Sequence, residues 1–159
     1  MRQVYPADTR TEMTWIVLPQ VTNALGTAFG GAVMSWIDVC AAIAAQRFSH
    51  CDVVTAQMDQ LSFLAPIPSG HIAVVRACVN WAGRTSMEVG VRVEHEDPYT
   101  GDRTHTSSAY MTFVAIDKDG NTVPVPKLVP QTDDDERRHK KAQRRRDARL
   151  ALRNAEKPT

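Results

Sequence analysis

One long apolar stretch constrains this chain more than any other feature. From about Gly31 to Phe48 the sequence is rich in alanine, free of proline and apolar on most sides. That pattern predicts a helix of roughly 18 residues, about 27 Å long. A helix that is apolar nearly all round is buried rather than laid on a surface. No second segment of the same kind follows it, so β-structure has to cover it.

The flanking segments read as that structure. Thr11 to Pro19 (TEMTWIVLP) predicts a first strand, closed by Pro19. Val53 to Ala65 carries apolar residues at 54, 56 and 58, then at 61 and 63. A change of face within one strand predicts a bulge or a sharp bend. Pro66, Pro68, Ser69 and Gly70 make the next turn. Residues 71 to 81 alternate, with Ala73, Val75, Ala77, Val79 and Trp81 on one side. Residues 85 to 95 place Thr85, Met87, Val89, Val91 and Val93 on one face and Ser86, Glu88, Arg92 and Glu94 on the other. Residues 104 to 116 become apolar on both sides near their end, which predicts a strand inside a sheet. DKDG at 117 to 120 is a turn. Short turns favour antiparallel neighbours. A sheet that curls around the helix buries it, and the sheet's outer apolar positions then call for a second subunit.

The chain has 159 residues, enough for one domain. Residues 1 to 10 read as a loose lead-in, 11 to 130 as the domain and 131 to 159 as a charged tail. The tail has 10 Lys/Arg against 6 Asp/Glu, which is +4, and the body before it has 9 against 12, which is −3. No overall basic charge supports nucleic-acid binding, and none is expected. The tail begins with acids and continues with bases, which suits a helix dipole. It is expected as a solvated helix or as disordered chain, and a basic helix could touch RNA or a membrane surface.

Cys40, Cys51 and Cys78 show no clustered metal spacing and read as small apolar fillers. His50, His71, His95 and His105 lie scattered at element ends, so no metal site is expected. Ser107-Ser108 belongs to no nucleophile motif, which argues against serine-esterase chemistry. The start lacks an apolar signal core and no run reaches membrane-spanning length, so the expected compartment is the cytoplasm.

Polar chemistry concentrates between Asn23 and Asp38, NALGTAFGGAVMSWID. Asn23 sits in a loop and Gly30-Gly31 opens the helix. Asp38 shares a helix face with positions 34, 41, 42 and 45. A carboxylate in an apolar stripe is costly unless it has partners or a task. Spacing alone leaves a satisfied core acid and a working acid both open. The helix start offers free N–H groups and a positive dipole end, and glycine lets a ligand approach them.

These residues resemble a family. The pattern of Asn23, Gly26, Phe29, Gly30, Gly31, Met34 and Asp38 is similar to a motif of the acyl-CoA thioester hydrolases with the hotdog fold, an α+β architecture in which a curled antiparallel sheet wraps one long helix. VVTAQMDQLSFLAPIPSG, AGRTSMEVGVRVE and AYMTFVAIDKDG resemble three further blocks, so the likeness runs from Thr11 to Pro130. One departure is visible: many members have a His after the arginine that closes the helix, and here Phe48 follows Arg47.

The resemblance implies hydrolysis of an acyl-CoA thioester to free acid and CoA, within fatty acid metabolism. It implies Asp38 as general base or nucleophile and Asn23 as the group that positions water or polarises the carbonyl. Gly30 and Gly31 would supply oxyanion contacts. It points to Gly83, Arg84, Thr85 and Ser86, with Lys127 as a weaker candidate, for binding CoA phosphates. No cofactor is implied; CoA is part of the substrate. Gly31 and Asp38 stand about 10 Å apart along a helix, too far to serve one carbonyl. A site shared by two protomers is therefore expected, with a homodimer as minimal unit in a dimer of dimers or trimer of dimers. Two other functions fit the fold: a dehydratase or hydratase, which typically places a His beside its acid, and an acyl-CoA-binding regulator.

Overall fold

A 20-residue helix occupies the middle of the fold. The computed structural model describes Met1 to Pro158. In chain order the elements are β1 (Gln3–Val4), α1 (Pro6–Thr9), β2 (Thr11–Ile16), α2 (Gly30–Ser49), β3 (Asp52–Phe63), β4 (Ile72–Ala82), β5 (Ser86–Glu96), β6 (Arg103–Ile116), β7 (Lys127–Leu128) and α3 (Asp133–Ala155). The five long strands form one antiparallel sheet in the order β2-β4-β5-β6-β3, curled around α2.

Alanine is what lets the sheet close on the helix. Ala41, Ala44 and Ala45 are fully buried, and backbones approach closely where side chains are small. Ile37 and Phe48 fill the wider gaps against Val75, Val79, Met87, Val89, Met111 and Phe113. Cys40 is equally buried, and burial pushes its thiol up to about 11, as expected of an apolar filler. His50 ends the helix in the left-handed region at φ 56, its N–H donating to the Gln46 carbonyl. The helix is not covered on most sides as its composition predicts. Met34 and Val39 are 41% and 49% exposed, so one face of it lies open.

The order of strands differs from simple succession. β4, β5 and β6 form a meander, but β3 pairs with β6 rather than with β4. The chain from 64 to 71 spans up to about 28 Å when extended, whereas three strand spacings need about 14 Å, so it can cross to the far side. β6 is thereby internal, as its two-sided apolar pattern predicts.

A second difference concerns Trp81. Alternation puts it with Val79 on the inner face, but the ladder shifts register between Val79 and Trp81. Asn80 is the extra residue, and Trp81 turns outward beside Glu88. Gly90 makes room: a Cβ there would stand 2.4 Å from Asn80 Nδ2.

Among the described residues, both terminal segments are structured. Residues 1 to 10 are not a loose lead-in, because β1 pairs in parallel with β7 and Arg2 donates to the Phe48 carbonyl at the end of α2. Thr9 Oγ1 accepts the Val79 N–H at 2.9 Å, next to the bulge. The tail is a helix, but not a fully solvated one. α3 lies on the outer face of the sheet, with Ala142 buried and Trp81 Nε1 donating to Gln143 Oε1 at 2.6 Å. Part of the outer surface expected to need a second subunit is thus covered by the chain itself. Among the described residues no helix is long and apolar enough to cross a membrane.

Candidate active site

The start of α2 is bare. Phe29 precedes it in extended conformation, and no side chain caps the helix. The N–H groups of Gly30 and Gly31 have no carbonyl within the helix to bond. Beside them lies a cavity of about 360 Å³, lined by Ala28, Val33, Phe63, Leu64 and Ile67 among others. A Cβ on Gly30 would stand 3.5 Å from the Phe63 ring, so glycine keeps this approach open.

Asn23 lies in the loop that leads to this point and fastens the loop to itself. Its Oδ1 accepts the N–H groups of Leu25 at 3.0 Å and Thr27 at 3.2 Å, and its Nδ2 donates to Thr27 Oγ1 at 3.0 Å. An amide nitrogen carries two hydrogens, so one remains for another partner. Gly26, at φ 75, makes the turn that permits this arrangement.

Asp38 occupies the seam between the buried and open faces of α2 and is half-buried. Its Oδ1 accepts the hydroxyl of Thr55 at 2.7 Å. Thr55 reaches it because of a bulge. The β3–β6 register shifts between Thr55 and Gln57, so Thr55 pairs with Phe113 and faces inward, while Gln57 pairs with Thr112 and faces outward. A second shift, between Asp59 and Ser62, restores Phe63 to the inner face. The apolar pattern predicts one change of face in this strand, and the structure has two. Thr55 carries no sequence signal of its own; only the strand geometry singles it out.

The structure leaves the expected residues in two groups. Gly30 and Phe63 line the same cavity at one end of β3, and Asp38 bonds Thr55 toward the other. The turn Gly83–Ser86 belongs to the second end, since Ser86 pairs with Val114 beside Phe113. In that turn the Gly83 N–H donates to the Ser86 carbonyl, and a Cβ on Gly83 would stand 2.6 Å from the Trp81 ring. The carbonyls of Arg84 and Thr85 accept the N–H groups of Val125 and Ala115, both at 2.9 Å. Arg84 is exposed and makes no ion pair among the described residues. Lys127 is exposed at the start of β7, just beyond Val125. A larger cavity of about 650 Å³ lies on the opposite face of the sheet, under α3. Several of its cations are already matched, Arg76 by Glu12 and Glu94, and Arg145 by Glu88.

Comparison with known proteins decides what this arrangement belongs to. The profile of the thioesterase superfamily matches residues 25–101. The Bacillus subtilis protein YkhA, described as an uncharacterized acyl-CoA thioester hydrolase, is 42% identical over 81% of this chain and 75% of its own. This chain belongs to the acyl-CoA thioester hydrolase family. The hydrolase has the hotdog fold, and solved structures agree over nearly its whole length. An apo-hexameric acyl-CoA thioesterase is 38% identical with a TM-score of 0.93, over 99% of this chain and 100% of that one. The Staphylococcus aureus acyl-CoA hydrolase, solved with butyryl-CoA, CoA and CoA disulfide, is 34% identical with a TM-score of 0.90, over 97% and 94%. That enzyme has also been solved with alanine replacing an aspartate, an asparagine and a threonine.

Proposed function

We propose that the hydrolase cleaves its acyl-CoA substrate at a site made by two protomers, with Asp38 and Thr55 from one and Asn23, Gly30 and Gly31 from the other. The observation that carries this reading is the division just described. The acid with its hydroxyl partner and the helix N–H groups stand at opposite ends of one strand, and that strand, β3, is an exposed edge. Antiparallel pairing of β3 with its own copy about a two-fold axis near Asp59 would set Thr55 opposite the partner's Phe63. Phe63 lines the same cavity as Gly30, so this pairing would bring Asp38 of one chain to the helix start of the other. The three positions changed in the Staphylococcus aureus enzyme lie 15 and 17 residues apart, asparagine to aspartate to threonine. Asn23, Asp38 and Thr55 have the same spacing.

The chemistry divides between the two groups. Thr55 donates to Oδ1 of Asp38 and fixes the carboxylate's orientation, leaving Oδ2 to act. Asp38 either takes a proton from water as the water attacks the thioester carbon, or attacks that carbon itself. The carbonyl oxygen's developing charge falls to the Gly30 and Gly31 N–H groups and the spare amide hydrogen of Asn23. On the first route the C–S bond breaks, CoA leaves as its thiolate and takes up the proton, and the acyl group leaves as the acid; on the second, loss of the CoA thiolate leaves an acyl–Asp38 anhydride, which water hydrolyses to the acid and the free carboxylate. The cavity beside Gly30 takes the acyl chain. Gly83, Arg84, Thr85, Ser86 and Lys127 take the nucleotide phosphates, with Arg84 supplying the charge. The free cysteines fit a reducing cytoplasm.

The test is a panel of acyl-CoA substrates read by thiol release. Asp38→Asn keeps the shape of the side chain and should lower kcat by about a hundredfold or more, as when a general base or nucleophile is lost. A variant that folds and keeps more than about a tenth of wild-type turnover would make Asp38 structural.

A further inference from the structure

Thr55 is aimed by a strand whose pairing with β6 is broken twice. Within one chain β3 is bonded only to β6, and that pairing breaks on both sides of the run Gln57, Met58, Asp59. Gln60, next in the chain, adopts φ 54. From the outer face, α3 reaches this same run. Arg149 Nη1 bonds Asp59 Oδ2 at 2.8 Å, with both side chains 18% exposed, and lies 3.7 Å from Glu88 Oε2. Gln57 Nε2 donates to Asp59 Oδ1 at 2.8 Å, so the contact extends one step closer to Thr55.

Docking of α3 does not depend on Arg149. Ala142, the Trp81–Gln143 bond and the Arg145–Glu88 pair already hold the helix to β4 and β5. Arg149 alone among the ion pairs given for α3 carries the contact on to β3. An exposed ion pair would do little, but this one is largely withdrawn from water and shared with a buried acid.

We propose that Arg149 is a positioning residue for the hydrolysis. It fixes the run 57–59 from the outer face and so sets the bulge that turns Thr55 onto Asp38. The C-terminal helix then governs the chemistry without touching substrate. This rests on the shared-site reading above.

Steady-state kinetics with the best substrate of the acyl-CoA panel test it, on Arg149→Met, Arg149→Lys, Asp59→Asn and the double variant Asp59→Asn/Arg149→Met. Arg149→Met should lower kcat about tenfold, the scale of a small misplacement of reacting groups, with KM changed less than about twofold. Asp59→Asn should do the same, the double variant should be no worse than either, and Arg149→Lys should recover most of the loss. Amide hydrogen exchange should quicken at residues 54–59 and not in α2. Wild-type kcat in Arg149→Met, or losses that add in the double variant, would overturn the proposal. If Arg149→Met does not fold, Asp59→Asn decides, and wild-type kcat with unchanged exchange there overturns it equally. Asp38→Asn is run alongside. If it stays active, the site reading falls and this proposal with it; if it is inactive while Arg149→Met is unimpaired, this proposal alone falls.

Discussion

Ala56 is the extra residue that makes Thr55 useful. Without the register shift between Thr55 and Gln57, Thr55 would share the outward face of Gln57 and Asp59. Bulges beside active sites re-aim side chains in this way. The hydroxyl is the working part of Thr55, because the side chain is exposed and packs little. Thr55→Val removes the donor and keeps the β-branched shape. It should lower kcat by about tenfold, since the carboxylate loses the group that orients it. Unfolding free energy should stay within about 0.5 kcal/mol of wild type, as for most surface changes. Kinetics and urea denaturation read the two effects separately; equal loss of both would make Thr55 a fold residue.

At the scale of elements, α3 is specified by its ends and its acidic partners rather than by apolar content. Thr132 Oγ1 accepts the Asp135 N–H at 3.1 Å, and the Asp135 carboxylate accepts the Thr132 N–H in return. The acids of its first turn meet the positive end of the helix dipole. The middle of the helix then supplies Arg145, which bonds Glu88 at 2.6 Å and lies over the Tyr110 ring at 3.6 Å. Glu88 is only 1% exposed. Removing Arg145 leaves Glu88 only the longer contact to Arg149 at 3.7 Å, so Arg145→Met should cost about 2 kcal/mol or more. Replacing both partners, as Arg145→Met with Glu88→Leu, should restore most of that stability. Urea midpoints for the single and double variants check both statements. A double variant as unstable as the single would place the cost in lost packing instead.

At the scale of the whole molecule, one chain leaves an apolar edge open. Met34, Val39, Phe63 and Leu64 are exposed on or near α2 and β3, and β3 is an unpaired edge. The proposed pairing through β3 would cover that edge and the open face of α2 together. Solved relatives include hexameric thioesterases, which a trimer of such dimers would match. If the site is shared, Asn23→Ala and Asp38→Asn proteins are each inactive but complement one another. A mixed dimer has one site with both residues intact and one with both lost. Subunit exchange, followed by mass spectrometry, should therefore recover up to half of wild-type activity per mixed dimer; background activity after confirmed exchange would mean that each chain builds its own site. Arg84→Ala belongs to the same scale, since the Gly83–Ser86 turn is far from Gly30 within one chain. It should raise KM for acyl-CoA while leaving acyl-pantetheine, which lacks the nucleotide, nearly unaffected. Equal losses on both substrates would move Arg84 to the thioester end.

The sequence by itself determined the long helix, the strands around it and the turn positions, because each is written in local periodicity and in residues such as Pro66, Gly70 and Gly120. It also determined the family, through the spacing from Asn23 to Asp38. Local pattern could not decide which face a residue takes beyond a bulge, since one inserted residue reverses every side chain that follows. Trp81 and Thr55 both changed faces for that reason. Nor could it decide that β3 pairs with β6, because strand order depends on where an eight-residue connection crosses. The lead-in reads as loose, and the tail as a solvated helix or disordered chain, because their apolar residues are few. Their structure comes from partners distant in sequence, Arg2 with Phe48, Thr9 with Val79 and Arg149 with Asp59, which only the folded chain brings within hydrogen-bond distance.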